Sequence, residues 1–274
     1  MQINCNGKLI DFDTPRIMGI LNLTPDSFYD GGRKSTREDF IRHAEKMLQE
    51  GASFIDVGAY SSRPGATHIS SQEEIDRILP VVEDLRREFP DIILSIDTFR
   101  SEVARSCVQA GAAIINDISG GSLDDKMLQT VADLQVPYIL MHMRGTPRNM
   151  NNLTQYDDLV QDILFYFSEK ISEARELGIN DIIVDPGFGF SKTLEQNYQL
   201  MGKLDLFQSL ELPILSGISR KSMIYNLFNT TPDEALNGTT VLNTVSLLQG
   251  ANILRVHDVK EAFECVKMLS LIEN

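Results

Sequence analysis

Eight short apolar runs are spaced along the chain, and each is followed by a loop and then by a longer amphipathic segment. The runs cover residues 16–21, 54–57, 92–96, 113–116, 138–141, 182–185, 213–217 and 252–256. Continuous apolar runs, rather than alternating ones, are typical of parallel strands that are buried on both faces. The pattern therefore predicts eight successive strand and helix units.

The amphipathic segments carry signals for helix starts and ends. Ser35 with Glu38, and Ser71 with Glu74, have the spacing of a capping box. We expect Pro80 to kink the second of these helices. A longer helix is predicted from about residue 154 to a stop just before residue 178.

Eight strand and helix units predict one (β/α)₈ barrel (TIM barrel) that occupies residues 1–274 as a single domain. An open doubly wound sheet would need fewer units and would normally carry a glycine-rich dinucleotide turn, which the sequence lacks. Residues 1–13 contain the turn sequence Asn6-Gly7, which predicts a short hairpin under the barrel floor.

Composition excludes several classes of protein. A net charge of -14 argues against a nucleic-acid partner, because binding a phosphate backbone needs a basic face. The three cysteines are far apart, so we expect buried free thiols rather than disulfides or a zinc site. The first residues do not resemble a secretory signal, and no run of eighteen apolar residues occurs, so we expect a cytosolic protein without a membrane partner.

Nearly every predicted strand leads into a polar side chain. These residues are Asn22, Ser62 with Arg63, Asp97, Asn116, His142, Asp185, Ser219 with Lys221, and Arg255 with His257. In a parallel barrel, the carboxyl ends of all strands meet at one mouth, where the active sites of this fold lie. The sequence therefore predicts one polar site.

The types of side chain narrow the ligand. A carboxylate of Asp97 or Asp185 can accept from adjacent N–H groups on the edge of a heterocycle, and the Asn116 amide can donate and accept. Lys221 adds a donor for a ring carbonyl oxygen. The groups suited to a diphosphate are Asn22, Arg63, Arg255 and His257. This set fits a ring like that of a pterin with an anionic tail.

Each residue alone also has a structural interpretation. Asp97 has the position of a helix N-cap, Lys221 that of a solvated lysine and Arg255 that of a surface ion pair. Asp56, inside its apolar run, is interpreted as structural. Together, acids, amides and cations at successive strand ends favour a functional site.

Two loops rich in Gly, Pro and Ser follow the first two strands. They read TPDSFYDGGRKS and SSRPGATHIS, and they are predicted to act as lids over the mouth. Asp30 and Arg33 are the candidate functional residues of the first lid.

Eight segments resemble the dihydropteroate synthase family, in family order, along essentially the whole chain. They are MGILNLTPDSFYDGG from Met18, SRPGA from Ser62, SIDTF from Ser95, INDISGG from Ile115, MHMRGTP from Met141, DPGFGFSK from Asp185, GISRKS from Gly217 and RVHDV from Arg255. The resemblance implies an enzyme that joins a dihydropterin diphosphate to 4-aminobenzoate on the route to folate. It also implies a magnesium ion, a cytosolic homodimer and a sulfonamide target.

The resemblance implies roles for individual residues. The catalytic residues would be Asp97, Asp185, Lys221 and Arg255, and the pterin would be bound by Asp97, Asn116, Asp185 and Lys221. Asn22 would bind magnesium beside the diphosphate, which Ser62, Arg63, Arg255 and His257 would surround. Pro64, Phe190 and Ser219 would border the 4-aminobenzoate pocket, and Met141 would join the substrate-binding residues.

Three positions depart from the family pattern. Tyr60 stands where glutamate is frequent, Ser62 where threonine is common and Tyr29 where serine is frequent. The departures lie in or beside the lids, so they affect detailed lid contacts and inhibitor sensitivity.

The expected chemistry is loss of diphosphate to leave a methylene cation that the pterin ring stabilises, followed by attack of the arylamine. This route requires no covalent nucleophile. Three alternatives stay open: a pterin-binding methyltransferase barrel, a Schiff-base aldolase that uses Lys221, and a pterin-binding protein without activity. The SRPGA and GISRKS segments favour the synthase over the methyltransferase.

Overall fold

The computed structural model describes residues 1–23, 36–61 and 68–272. The strands are β1 (Gln2–Cys5), β2 (Lys8–Asp11), β3 (Arg16–Asn22), β4 (Phe54–Gly58), β5 (Leu94–Asp97), β6 (Ile114–Asp117), β7 (Tyr138–Met141), β8 (Ile182–Asp185), β9 (Leu215–Ser216) and β10 (Ile253–Val256). The helices are α1 (Arg37–Gln49), α2 (Ser71–Glu88), α3 (Ser101–Gln109), α4 (Met127–Leu134), α5 (Leu159–Glu176), α6 (Leu194–Met201), α7 (Ser222–Tyr225), α8 (Leu236–Leu248) and α9 (Val259–Ile272). Short 3₁₀ turns cover Met150–Asn152, Leu204–Leu210 and Pro232–Glu234.

Strands β3 to β10 form one parallel sheet in the order β8-β7-β6-β5-β4-β3-β10-β9. A parallel bridge between Val184 and Ile214 joins β8 to the residue before β9. The sheet is thereby closed on itself, with helices outside, and the predicted (β/α)₈ barrel is confirmed. All eight predicted strands are present, although β9 is limited to two residues.

Side chains along each strand alternate between the barrel interior and the layer under the helices. In β4, Ile55 and Val57 belong to the apolar layer between sheet and helices. Phe54 belongs instead to a separate apolar cluster at the barrel floor. Asp56 therefore shares the inward face of the strand with Phe54, two residues nearer the mouth.

The N-terminal hairpin seals the floor, as predicted. Strands β1 and β2 are antiparallel, and the turn residues Asn6 and Gly7 have φ of 52° and 85°. Two left-handed residues in a two-residue loop match the twist of the strands. The hairpin contributes four buried residues to the floor cluster: Ile3, Cys5, Ile10 and Phe12. The strands contribute Met18, Phe54, Ile93, Ala113, Ile114, Ile139, Ile183, Leu215 and Ile253.

The first two helices begin one residue away from the predicted capping boxes. Thr36 caps α1 and forms a reciprocal capping box with Asp39, so the predicted pair of Ser35 and Glu38 is wrong; Ser35 lies outside the described residues. The spacing rule selected Ser35 because it expects Glu or Gln three residues after the cap, whereas the partner of Thr36 is an aspartate.

Helix α2 shows a shift of one residue in the opposite direction. Its cap is Ser70, whose side chain accepts from the Glu73 N–H, and not Ser71. Glu74, predicted to complete the box, is instead fully buried and ion-paired with Arg100. The helix runs through Pro80 without a break.

The long fifth helix begins at Leu159, after the cap residue Asp158, rather than near residue 154. Cys5, Cys107 and Cys265 are buried free thiols, as expected. None of the described helices is long and apolar enough to span a membrane.

Candidate active site

One row of strand residues places three predicted groups, Asn22, Asp97 and Asn116, at the same level of the mouth. The sheet register pairs Asn22 with Gly58, Gly58 with Asp97, and Asp97 with Asn116. Next along the barrel, Met141 is paired with Asp185. The convergence expected from strand ends is therefore observed for these residues.

Arg255, on β10, is held inside the mouth by two carboxylates from other strands. Its Nη2 donates to Asp97 Oδ2 at 2.6 Å, and its Nε donates to Asp56 Oδ2 at 2.6 Å. Asn116 Nδ2 donates to the same Asp56 oxygen at 2.9 Å. Charge-assisted bonds of this kind fix the guanidinium plane. One connected network therefore joins β4, β5, β6 and β10.

Asp56 is a further member of the site, although from the sequence it was interpreted as merely structural. It is fully buried, and its Oδ1 has no hydrogen-bond partner among the described residues. A buried carboxylate is costly unless it is paired. The signal that could have identified it is a lone acid within an otherwise apolar strand, which requires a cation nearby.

The charges in this network determine its protonation. Burial raises the pKa of Asp97, Arg255 opposes that rise and the neighbouring Asp56 adds to it. For Arg255, burial acts to lower the pKa, but Asp56 and Asp97 outweigh it and hold the pKa above its ordinary value. Arg255 is therefore a permanent cation in the mouth.

Asp185 and Lys221 interact electrostatically on the other side of the mouth. Asp185 is buried and its Oδ1 accepts from the Gly187 N–H at 2.8 Å. Lys221 Nζ donates to the Phe188 carbonyl oxygen and lies 4.8 Å from the centre of the Phe190 ring. Burial raises the pKa of Asp185, and Lys221 opposes that rise. Burial lowers the pKa of Lys221 to about 8, while Asp185 opposes that fall.

Lys192 is a second buried cation near the mouth, and the sequence analysis did not select it. Its Nζ lies 2.9 Å from the Gly187 oxygen, 3.0 Å from the Phe190 oxygen and 3.2 Å from His142 Nδ1. Its only sequence signal is its place at the end of the DPGFGFSK segment.

The remaining described candidates lie around this centre. Ser219 Oγ is 3.1 Å from His257 Nδ1 and accepts from the His257 N–H at 3.1 Å, so these two predicted residues are in contact. Met141 is in a small buried cluster against which Phe190 packs. Asn22 is half-buried at the end of β3.

Five predicted site residues lie outside the described residues: Asp30, Arg33, Ser62, Arg63 and Pro64. Tyr29, one of the departures from the family pattern, also lies there. Tyr60, another departure, is described. Its ring packs edge-on against Phe99, with the Arg100 guanidinium 5.1 Å from its centre.

Comparison with known proteins agrees with this geometry. A family model described as "Pterin binding enzyme" matches residues 18–257. The dihydropteroate synthase of Escherichia coli K12 is 42% identical over 271 residues, which cover 98% of this chain and 95% of the relative.

Two solved structures are similar over the whole chain. The dihydropteroate synthase of Yersinia pestis with a sulfonamide drug complex has a TM-score of 0.94 and 42% identity, covering 100% of this chain and 99% of that one. The Xanthomonas albilineans dihydropteroate synthase with 4-aminobenzoic acid has a TM-score of 0.92 and 38% identity, covering 99% and 98%. The chain therefore belongs to the dihydropteroate synthase family of pterin-binding enzymes.

Proposed function

We propose that this chain is a transferase that condenses (7,8-dihydropterin-6-yl)methyl diphosphate with 4-aminobenzoate, giving 7,8-dihydropteroate and diphosphate. The arrangement of charged groups in the mouth gives this proposal its main support. A permanent cation, Arg255, is fixed by Asp56 and Asp97 beside the buried pair of Asp185 and Lys221. Full-length membership of the family supports the same reaction.

The free atoms of the site suit a pterin edge. Asp185 uses Oδ1 for the Gly187 N–H, and its Oδ2 faces the mouth beside Gly217, ready to accept from ring N–H groups. Asn116 turns its nitrogen toward Asp56, so its oxygen is available as an acceptor. Lys221 supplies a donor for a ring carbonyl oxygen. We assign pterin binding to these residues and Asp97.

The diphosphate is assigned to the Arg255 side of the mouth. The two bonds to carboxylates use Nε and Nη2, and within the described residues Nη1 donates to no protein group. That end of the guanidinium is suited to a departing anion. We assign His257 the same region, and its contact Ser219, on the adjoining strand end, to the border of the 4-aminobenzoate pocket.

Magnesium fits the donors available here. Among the described residues no group of three or more His, Cys, Asp or Glu side chains is placed to hold a metal. Magnesium commonly takes only one or two protein oxygens and completes its shell with water and substrate phosphate. Asn22, in the row of Asp97 and Asn116, would provide such an oxygen. The bound ion would neutralise charge on the diphosphate.

The chemistry follows from charge placement. Diphosphate leaves with the carbon–oxygen bonding pair, and the positively charged Arg255 stabilises the developing anion. The electron-rich pterin, held by Asp185, Asn116 and Lys221, stabilises the methylene cation. The nitrogen of 4-aminobenzoate then attacks that carbon and loses a proton. Positioning and electrostatics supply the catalysis, so no covalent nucleophile is needed.

A homodimer, a cytoplasmic location and sensitivity to sulfonamides are further parts of the proposal. The family resemblance supports the first two. The drug complex of the similar Yersinia pestis protein supports the third.

A direct assay tests the reaction. Purified protein is mixed with the dihydropterin diphosphate, magnesium and 4-aminobenzoate, and diphosphate and dihydropteroate are measured together. We expect equal amounts of both products when all components are present, and no dihydropteroate without 4-aminobenzoate. Ligand binding without release of diphosphate would contradict the proposal. Borohydride trapping with a carbonyl substrate separates it from the aldolase alternative, because an adduct on Lys221 is expected only for the aldolase.

A further inference from the structure

The segment that follows β8 has an unusual backbone. Within five residues, Gly187, Gly189 and Ser191 all have positive φ, of 72°, 81° and 50°. A side chain in the left-handed region, as at Ser191, persists only where the surroundings hold it there. The segment 187–192, called here the mouth turn, carries the ring of Phe190 and the carbonyl of Phe188 that contact Lys221. Its shape therefore determines how two groups of the proposed site meet.

Lys192 is placed to hold the mouth turn in that shape. Its Nζ bonds the carbonyl oxygens of Gly187 and Phe190, which are three residues apart on the same turn. Its third contact, His142 Nδ1, lies directly after β7. The Lys192 side chain thus connects Gly187 and Phe190 of the turn to the residue that follows β7.

One backbone bond, from the Phe190 N–H to the Gly187 oxygen at 3.1 Å, closes the turn itself, and further contacts hold its rim. Ser191 Oγ exchanges two bonds of 2.9 Å with the backbone of Arg144. The Gly189 N–H donates to Asn197 Oδ1 at 2.6 Å. These bonds secure the turn to the loop after β7 and to α6. The carbonyls of Gly187 and Phe190 are secured from inside by Lys192.

The contacts of Lys192 suit its charged form. Two of its three partners are carbonyl oxygens, which only accept, and the third is an imidazole nitrogen. Burial and the adjacent Lys192 lower the pKa of His142 well below its ordinary value, so the imidazole is neutral. An ammonium group with three donors matches three acceptors. Burial lowers the pKa of Lys192 to about 7, while Asp185 opposes that fall.

We propose that Lys192 is a positioning residue of this active site. It donates to Gly187, Phe190 and His142, fixes the mouth turn, and so places the Phe190 ring and the Phe188 oxygen against Lys221. This role rests on the proposed synthase function. Lys192 acts most directly on Phe190, which is assigned to the 4-aminobenzoate pocket and whose carbonyl it bonds. Of the four residues assigned to the pterin, Asp97 and Asn116 are held by contacts outside the mouth turn, while Asp185 and Lys221 each make one hydrogen bond to it. The effect should therefore fall on the arylamine step more than on pterin binding.

The test replaces Lys192 with methionine, which has nearly the same length and no donors. We expect Lys192→Met to raise the KM for 4-aminobenzoate at least tenfold and to lower kcat, while the Kd for a pterin ligand changes less than threefold. Lys203→Met is the matched control, because Lys203 is exposed and begins the 3₁₀ turn Leu204–Leu210, away from the mouth turn. We expect Lys203→Met to leave all three constants unchanged.

Three results would overturn the inference. The first two are wild-type kinetic constants in Lys192→Met, or an equal loss of pterin and 4-aminobenzoate binding in that variant. The third is a KM for 4-aminobenzoate that does not recover in Lys192→Arg, which keeps a cation. If Lys192→Met does not fold, ¹⁵N spectra of His142 in the wild-type protein decide. At pH 6, below the pKa of Lys192, we expect a neutral ring with its proton on Nε2; a proton on Nδ1 would refute donation by Lys192. Failure of the synthase function is distinguishable, because the wild-type protein itself would then make no dihydropteroate.

Discussion

The two ends of the barrel are built from the same strands and have opposite chemistry. Along β4, Phe54 lies in the apolar floor cluster, and Asp56, on the same face, bonds Arg255 in the mouth. Along β8, Ile183 lies in the floor and Asp185 in the mouth. A step of two residues thus separates a position that stabilises the fold from one that carries charge.

The comparison shows that the floor stabilises the fold and that the mouth holds the groups assigned to function. The floor is sealed by a hairpin whose buried side chains join those of the strands, so nearly every contact there removes apolar surface from water. The mouth keeps acids and cations buried together, and burial displaces the pKa of Asp97, Asp185 and Lys221 from ordinary values. Changes at the floor should therefore alter stability, and changes at the mouth should alter turnover.

The largest expected effect comes from removing the central cation of the mouth. Arg255→Ala leaves Asp56 and Asp97 without their partner and removes the group assigned to the departing diphosphate. We expect kcat to fall about 1000-fold, the upper range for loss of one electrostatic stabiliser. Asp185→Asn should act similarly through pterin binding. Steady-state kinetics with circular dichroism check both variants.

The control for this prediction is an exposed arginine with an acidic partner. Arg105 on α3 pairs with Asp133 at the surface, so Arg105→Ala should keep wild-type rates. Near-wild-type turnover in Arg255→Ala or Asp185→Asn, with the barrel folded, would refute their assignment and remove the contrast between the two ends.

The opposite pattern is expected at the floor. Phe54→Ala removes a fully buried ring from the floor cluster and should lower the free energy of unfolding by about 3–5 kcal/mol. At a temperature where the variant is folded, kcat should match the wild type. Denaturant titration and kinetics on the same sample measure both quantities. Phe165→Ala, at an exposed phenylalanine on α5, is the control and should change stability by less than about 0.5 kcal/mol.

Sequence patterns were sufficient for the floor and for the barrel. Apolar runs predicted every strand, because burial on both faces leaves a strong signal, and Asn6-Gly7 predicted the hairpin. Boundaries were less accurate. The true cap Thr36 was missed because its partner is Asp39 rather than Glu or Gln, and Ser70 was missed because both it and Ser71 are followed by Glu three residues later.

The mouth was predictable only in part. Asp97, Asn116, Asp185 and Arg255 could be grouped because barrel geometry brings strand ends together. Asp56 and Lys192 were not identified. Asp56 left a signal, a lone acid in an apolar strand, but its partner Arg255 lies 199 residues away along the chain. The carbonyls that Lys192 bonds are close in sequence, but only the folded, left-handed backbone of the turn brings them to its Nζ.

A smaller effect should appear in the pH dependence of stability. Burial lowers the pKa of Lys221 from 10.5 to about 8 in the folded protein. Between these values the unfolded chain binds the proton that the folded protein has lost, so the contribution of Lys221 to stability rises with pH. Denaturant titrations of the wild type and Lys221→Met from pH 7 to 10.5 measure it. Their difference should move in favour of the wild type above pH 8, by at most about 1.4 kcal/mol per pH unit.

This prediction also distinguishes mouth from floor. Phe54→Ala, which changes no titratable group, should run parallel to the wild type across the same pH range. A difference between the wild type and Lys221→Met that is flat above pH 8 would mean that Lys221 is not desolvated in the mouth.

The smallest expected effect compares one backbone change at each end. Gly7 in the floor hairpin and Gly189 in the mouth turn have nearly equal φ, 85° and 81°. Alanine at either position adds the same left-handed strain, about 1 kcal/mol in the free energy of unfolding. The surroundings differ: a Cβ at Gly7 meets nothing within 4 Å, while a Cβ at Gly189 lies 3.2 Å from Lys221 Cδ.

Equal stability losses with unequal kinetics should follow from that difference. Gly189→Ala should lower kcat/KM by less than tenfold, because Lys221 must shift by a few tenths of an ångström, and Gly7→Ala should leave it unchanged. Thermal unfolding measures the stability loss of each variant, and steady-state kinetics measure its kcat/KM. If Gly7→Ala impaired turnover as much as Gly189→Ala, strain at the floor would be reaching the mouth, and the two ends of the barrel would be coupled rather than independent.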